Sequence, residues 1–121
     1  MADGQPVADC LFCKIVAGEI PATVVRETEH TVAFKDLFPQ APTHDLVVPR
    51  VHYANAAELA AEAPEIAAAL LAEGGEVAKA EGLAADGYRL VFNTGSHAGQ
   101  TVFHVHLHVL GGDYLSTFGT D

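Results

Sequence analysis

From His104 to His108 the chain alternates histidine with aliphatic residues, His104-Val105-His106-Leu107-His108, then runs on through Val109-Leu110-Gly111-Gly112. On an extended strand residues two apart share a face, whereas a helix would scatter them around its circumference. The spacing therefore predicts a strand with Val105, Leu107 and Val109 in a core and three imidazoles on the other side, about 6.6 Å apart. One such histidine would be an ordinary polar position. Three in strict alternation point to chemistry, either a metal site or a phosphate site in which imidazole is nucleophile and acid.

The rest of the chain supplies a sheet for that strand. Before it, β-rich runs occupy residues 23–27, 31–35 and 44–49, and after a long interruption come 87–94 and 101–110. Connections within each group are short, as in antiparallel meanders. The interruption, residues 54–81, is rich in alanine and glutamate and reads as helix, with Asn55 capping a short turn and Pro64 in the first turn of a longer element. Ile66, Ala67, Leu70, Leu71, Val77 and Ala78 form its apolar face, leaving Glu65, Glu73, Glu76 and Lys79 for solvent. Gly74-Gly75 disfavours helix by about 1 kcal/mol per glycine, which predicts a bend or a close approach, most simply by a second helix, with two copies meeting about a two-fold axis. With a short helix at 11–17 the expected class is α+β: a five-stranded antiparallel sheet with one long and one short helix. A length of 121 residues suits one domain, 1–121, with its core at about 9–112.

Charge narrows the partners. Six Lys and Arg face sixteen Asp and Glu, and no basic side chain follows Arg89, so a nucleic-acid polymer, whose binding draws on clustered cations, is not the expected partner. The longest apolar run, residues 66–72, is far too short to span a bilayer, and Met1-Ala2-Asp3-Gly4 does not resemble a secretory signal, so a cytoplasmic address and no membrane partner are expected. There, Cys10 and Cys13 point to metal or redox chemistry rather than a structural disulfide. C-x-x-C supplies two thiolates of a tetrahedral zinc site. Thioredoxin-type redox would need a strand that the nine preceding residues leave no room for. Upstream of the histidines, Asn93-Thr94-Gly95-Ser96-His97-Ala98-Gly99-Gln100-Thr101 offers glycines, amides and hydroxyls suited to cradling an anion. It lacks the G-K-[ST] of a P-loop, and no carboxylate stands near in sequence to hold Mg²⁺.

His-x-His-x-His followed by two apolar residues resembles the signature of the histidine triad superfamily. Residues 9–22, beginning Asp9-Cys10-Leu11-Phe12-Cys13, together with Pro39-Gln40-Ala41-Pro42-Thr43-His44 and Gly87-Tyr88-Arg89-Leu90-Val91, extend the likeness to its Hint branch over roughly residues 9–112. The resemblance implies a homodimeric nucleotidyl hydrolase or transferase acting on purine nucleoside phosphoramidates such as AMP-lysine. It implies His106 as the nucleophile that becomes nucleotidylated, His108 as a phosphoryl ligand, and His44 as a residue that helps protonate the leaving amine. By the same likeness Phe12, Ile15, Phe34 and Leu37 surround the base and Asp36 accepts from ribose hydroxyls. Asn93, Gly99, Gln100 and Thr101 join His106 and His108 around the phosphate. Some bacterial relatives bind zinc through two such cysteines and two histidines, which here are Cys10, Cys13, His52 and His104. A filled Cys₂His₂ shell would make that zinc structural.

Two other classes remain compatible with the sequence. One is a non-catalytic nucleotide-binding or partner-binding protein on the same fold. The other is a zinc-dependent hydrolase ligated by the three histidines, against which stands the lack of a neighbouring carboxylate to act as general base. The acidic end, from Asp113 onward and without tryptophan, departs from eukaryotic relatives and leaves the substrate preference open, as it does adenine against guanine.

Overall fold

The computed structural model describes residues 4–119; Met1 to Asp3 and Thr120-Asp121, parts of the two ends considered above, lie outside the described residues. Helix α1 (Leu11–Val16) precedes strands β1 (Val24–Glu27), β2 (Thr31–Lys35) and β3 (Thr43–Pro49). Helices α2 (Ala56–Glu62) and α3 (Pro64–Ala80) follow, then β4 (Tyr88–Val91), a 3₁₀ turn at Ser96–Ala98 and β5 (Leu107–Gly111). The five strands form one antiparallel sheet in the order β1-β2-β3-β5-β4. The α+β expectation and the five antiparallel strands are thus observed, with an additional helix: Asn55 caps two turns rather than one, its side chain accepting from the Glu58 N–H.

β3 lies at the centre of the sheet and is buried on both faces. Val47, with Ala33, Leu107 and Val109, faces the core under α3, formed with Leu59, Ile66, Leu70, Val77 and Ala78. Leu46 and Val48 face the other way, onto Val32, Phe34, the α1 residues Phe12 and Cys13, and Cys10, which caps that helix. His44 and His108 share this second face, because His44 pairs with Leu110 and Leu46 with His108. The sheet therefore separates a helix-covered face from a face on which α1 covers one part and the histidines open at the other.

Three expectations need correction. The last strand begins at Leu107, so His104 and His106 lie in an irregular stretch ahead of it. Val105 would stand opposite Pro49, which has no N–H for the ladder, and the Val105 N–H instead donates to the Tyr53 carbonyl at 2.7 Å. The inward alternation survives, since Val105, Leu107 and Val109 all enter the core. On α3, Glu73 is 6% exposed rather than solvated, because Arg26 of β1 reaches it with two guanidinium nitrogens, while Leu71 is 51% exposed. Finally, the close approach at Gly74 is made by the chain's own sheet. A Cβ on Gly74 would lie 2.8 Å from Leu107 Cδ2 and 3.2 Å from Leu90 Cδ2, so glycine lets α3 settle onto β4 and β5.

Candidate active site

The three histidines of the alternating stretch part company. His104 is fully buried and turns toward α1 and His52, whereas His106 and His108 remain half-buried with ring centroids 5.0 Å apart. The three rings thus form no common ligand shell, which removes the geometry required by a zinc hydrolase ligated by all three. The ligating groups instead assemble as Cys10, Cys13, His52 and His104 in one place and Asp36, His44 and His108 in another.

His104 Nε2 lies 2.9 Å from the Pro49 carbonyl, which can only accept, so the proton sits on Nε2 and Nδ1 carries a lone pair. That Nδ1 is 3.4 Å from Cys10 Sγ, 3.5 Å from Cys13 Sγ and 3.2 Å from His52 Nδ1, and Cys13 Sγ is 3.4 Å from His52 Nδ1. A tetrahedral zinc with bonds of about 2.0 Å to nitrogen and 2.3 Å to sulfur requires ligand-to-ligand edges of roughly 3.3–3.8 Å, close to this set. The donor set fits a metal ion such as zinc. Its electrostatics fit as well. Burial pushes the Cys13 thiol up, with the neighbouring Cys10 adding to the effect, and burial pushes His104 down to about 4. A cation would offset the first and finds the second already neutral.

His106 Nδ1 lies 2.8 Å from the carbonyl oxygen of His104. That acceptor draws the proton to Nδ1 and leaves the Nε2 lone pair unencumbered. Phe12, carried on α1 between the two cysteines, stands edge-on to the His106 ring at 5.0 Å and 86°, and edge-on to Phe34 at 5.5 Å. Burial pushes the ring's pKa below the usual histidine value, against the opposing pull of the His104 carbonyl and Asp36, and so favours the neutral form.

A second tautomer chain runs beside it. The Gln40 main-chain N–H donates to His44 Nδ1 at 2.9 Å, so the His44 proton sits on Nε2, 2.8 Å from His108 Nδ1 and 3.3 Å from Asp36 Oδ2. His108 Nδ1 then accepts, and its own proton faces outward on Nε2. The same reasoning makes the Asp36, His44 and His108 group a proton-carrying chain rather than a metal shell, because His44 Nε2 has no free lone pair. Burial pushes His108 to about 4, with His106 and His44 nearby adding to it, and lowers His44 against the pull of Asp36. The sequence analysis found no carboxylate near the histidines; Asp36, just past β2, is one. Its Oδ1 accepts from the Phe38 N–H at 2.9 Å, a local turn that aims Oδ2 at His44.

The remaining expected site residues divide. Phe12 and Phe34 are buried together with Ile15 packed against them, forming an apolar wall beside His106. Leu37 is 87% exposed on the turn after Asp36, outside that wall. Asn93 is half-buried, and Gly99 and Thr101 lie exposed around the 3₁₀ turn. Gln100 is buried, with its amide bonded to main chain. Two participants escaped the sequence reading: the Gln40 N–H and the Pro49 carbonyl, both main-chain groups. Pro39 ahead of Gln40 signals a turn, but no side-chain motif names its N–H.

The HIT domain model matches residues 17–115. Over 104 residues the chain is 39% identical to the purine nucleoside phosphoramidase of Escherichia coli K12, covering 86% of this chain and 87% of that protein. It superposes on the HIT family hydrolase of Legionella pneumophila Philadelphia 1 with a TM-score of 0.85 at 50% identity, covering 89% of this chain and 96% of that one. A histidine triad protein from Clostridium difficile superposes with a TM-score of 0.90 at 39% identity, covering 94% and 99%. The chain belongs to the HIT family, as a hydrolase homologous to purine nucleoside phosphoramidase.

Proposed function

We propose that this hydrolase cleaves purine nucleoside 5′-phosphoramidates, of which AMP-lysine is a type, through a nucleotidyl-histidine intermediate on His106. The observation that carries the reading is the hydrogen bond between His106 Nδ1 and the His104 carbonyl, which presents an unprotonated Nε2 beside Phe12. In the first step Nε2 bonds to phosphorus as the phosphorus–nitrogen bond breaks, and the imidazolium that forms keeps its Nδ1–H on the carbonyl. An incoming phosphoryl anion raises the proton affinity of His108 beside it, and Asp36 favours the charged form through His44. The proton taken up by this pair is the one delivered to the departing nitrogen. In the second step the pair, neutral again, accepts a proton from the water that attacks phosphorus, and His106 leaves as neutral imidazole with the mononucleotide free. Atoms and protons balance over the two displacements.

In this reading the base would lie against the wall of Phe12, Phe34 and Ile15, Asp36 would accept from ribose hydroxyls, and Asn93, Gly99 and Thr101 would contact the phosphate. Cys10, Cys13, His52 and His104 would hold zinc, which would supply a cross-link and no reacting group. The thiols suit the reducing cytoplasm, and among the described residues no helix is long and apolar enough to cross a membrane. We also propose a homodimer, joined along the unpaired edge of β4 and the outer side of α3, where Leu71 is exposed. The deciding assay is turnover of an adenosine 5′-phosphoramidate with and without a chelator: turnover that survives in folded, chelated protein supports the account, and no turnover under any condition refutes it.

A further inference from the structure

The ladder between β3 and β5 ends at the Val47 and Leu107 pair, so the chain from Asn93 to His106 is held by something other than the sheet. Gln100 supplies part of the answer. It is 4% exposed, unusual for a glutamine, and its amide is taken up by main chain. Nε2 donates to the Ala54 carbonyl at 2.7 Å and to the Val102 carbonyl at 3.0 Å, while Oε1 accepts the Gly95 N–H at 2.9 Å. Its own N–H closes the turn on the Gly95 carbonyl at 3.1 Å. One side chain therefore ties both ends of residues 95–102 together and pins them to Ala54. The adjoining residue, Tyr53, holds the Val105 N–H, and Val105 lies between His104 and His106. No amide hydrogen is left to offer a ligand.

We infer that Gln100 is a positioning residue and not a nucleotide contact: with the N–H groups of Gly95, Ala98, Gly99 and Gln100 spent on closing the turn, it sets the loop at Gly95–Val102 in register with His106, so that the main-chain N–H groups these bonds leave over meet the phosphoryl oxygens as charge develops on them. The inference rests on the proposed phosphoryl chemistry of this face. Preorganised donors of this kind act mainly on the transition state, whereas ground-state affinity for a mononucleotide draws also on the base and ribose surroundings.

Gln100→Met keeps the length and fills the space while deleting all three side-chain bonds; Gln100→Glu keeps the acceptor but sets an oxygen against two carbonyls. With adenosine 5′-phosphoramidate, kcat should fall about tenfold to a hundredfold in the Met variant and further in the Glu variant, with the AMP Kd within about threefold of wild type. Amide exchange over residues 94–102 should accelerate at least about tenfold in the Met variant, while β2, β3 and β5 amides keep their rates. A Met variant with wild-type kcat would leave Gln100 a space-filler, and an AMP Kd weakened as much as kcat would make it a direct contact; either overturns the inference. Exchange in the wild-type protein gives a test that needs no variant: the Gly95 N–H should be among the slowest of the loop, and fast exchange there also overturns it. If the wild type cleaves no phosphoramidate, the proposed function fails, and the exchange measurements still decide whether Gln100 holds the loop.

Discussion

His104 and His106 stand two residues apart and differ in role because each gives its one proton to a different carbonyl. For His104 the acceptor is Pro49, which turns the lone pair toward the thiols; for His106 it is His104 itself, which turns the lone pair outward. Replacing His106 by Asn should therefore lower phosphoramidate turnover by roughly three orders of magnitude or more while AMP binding changes only a few-fold, as measured by steady-state kinetics and calorimetry. The alternating motif marked the three histidines as candidates for chemistry, and the family resemblance singled out His106 among them. The motif could not disclose that His104 faces away, since that depends on a carbonyl from another strand. Asp45 was not legible at all. It lies on the α3 side of β3 with both carboxylate oxygens lacking a donor, beside Glu81 and with Lys35 Nζ at 3.8 Å. Burial and Glu81 push its pKa up to about 7, and Lys35, held 2.9 Å from Glu81, only partly counters them. The folded state thus binds this proton more tightly than the unfolded chain, whose pKa lies near 3.8, so stability from this group is full at low pH and is lost as pH rises toward 7. The buried histidines act with the opposite sign, losing stability as pH falls, so comparison with Asp45→Asn cancels their effect and leaves that of Asp45 with its partner Glu81. Between pH 5 and 8 the stability difference should move toward the Asn variant by on the order of 2 kcal/mol in denaturant titrations, and a difference independent of pH would contradict the assignment.

At the scale of elements, the helices and strands were legible where pattern is local and less so where a distant partner decides. Pro64, Asn55 and the apolar face of α3 announced the helical region, and the runs at β2 and β3 matched their strands almost to the residue. β4 and β5 proved shorter than their apolar patterns, and for β5 the missing Pro49 N–H supplies the reason. Glu73 reads as a solvent residue by helical spacing, and only the position of Arg26 on an edge strand explains its burial. Gly74 reads as a helix defect until its neighbours are known. Gly74→Ala raises helix propensity by about 1 kcal/mol, but the new methyl meets Leu107 and Leu90, and the overpacking should dominate. Thermal unfolding should give a net loss of about 1–2 kcal/mol, whereas Gly75→Ala, whose Cβ meets only the Tyr88 hydroxyl at 3.7 Å, should be neutral or stabilising. Equal effects at the two positions would show that α3 does not press on the sheet as described.

Across the whole molecule, the cysteine and histidine cluster joins the start of α1 to two segments distant in sequence, His52 after β3 and His104 before β5. Because Phe12 rides on α1 between the two cysteines, this junction also places the apolar wall beside His106. Substituting both cysteines by serine should remove bound zinc, measured by elemental analysis, and lower Tm by several degrees, with turnover persisting in the folded fraction. Retention of one zinc per chain in that variant would place the metal elsewhere. Sedimentation at micromolar concentration should show a dimer, and a monomer there would refute the proposed assembly. The cluster of Cys10, Cys13, His52 and His104 was legible through family likeness more than through spacing, since C-x-x-C names two of its members and leaves the other two to the fold. The central claim is the covalent route through His106. Rapid quenching of the protein with an adenosine 5′-phosphoramidate, followed by peptide mapping, tests it most directly. A mononucleotide adduct on the peptide containing His106, absent from His106→Asn, is the result the account requires; an adduct on another residue, or turnover by His106→Asn at the wild-type rate, would contradict it.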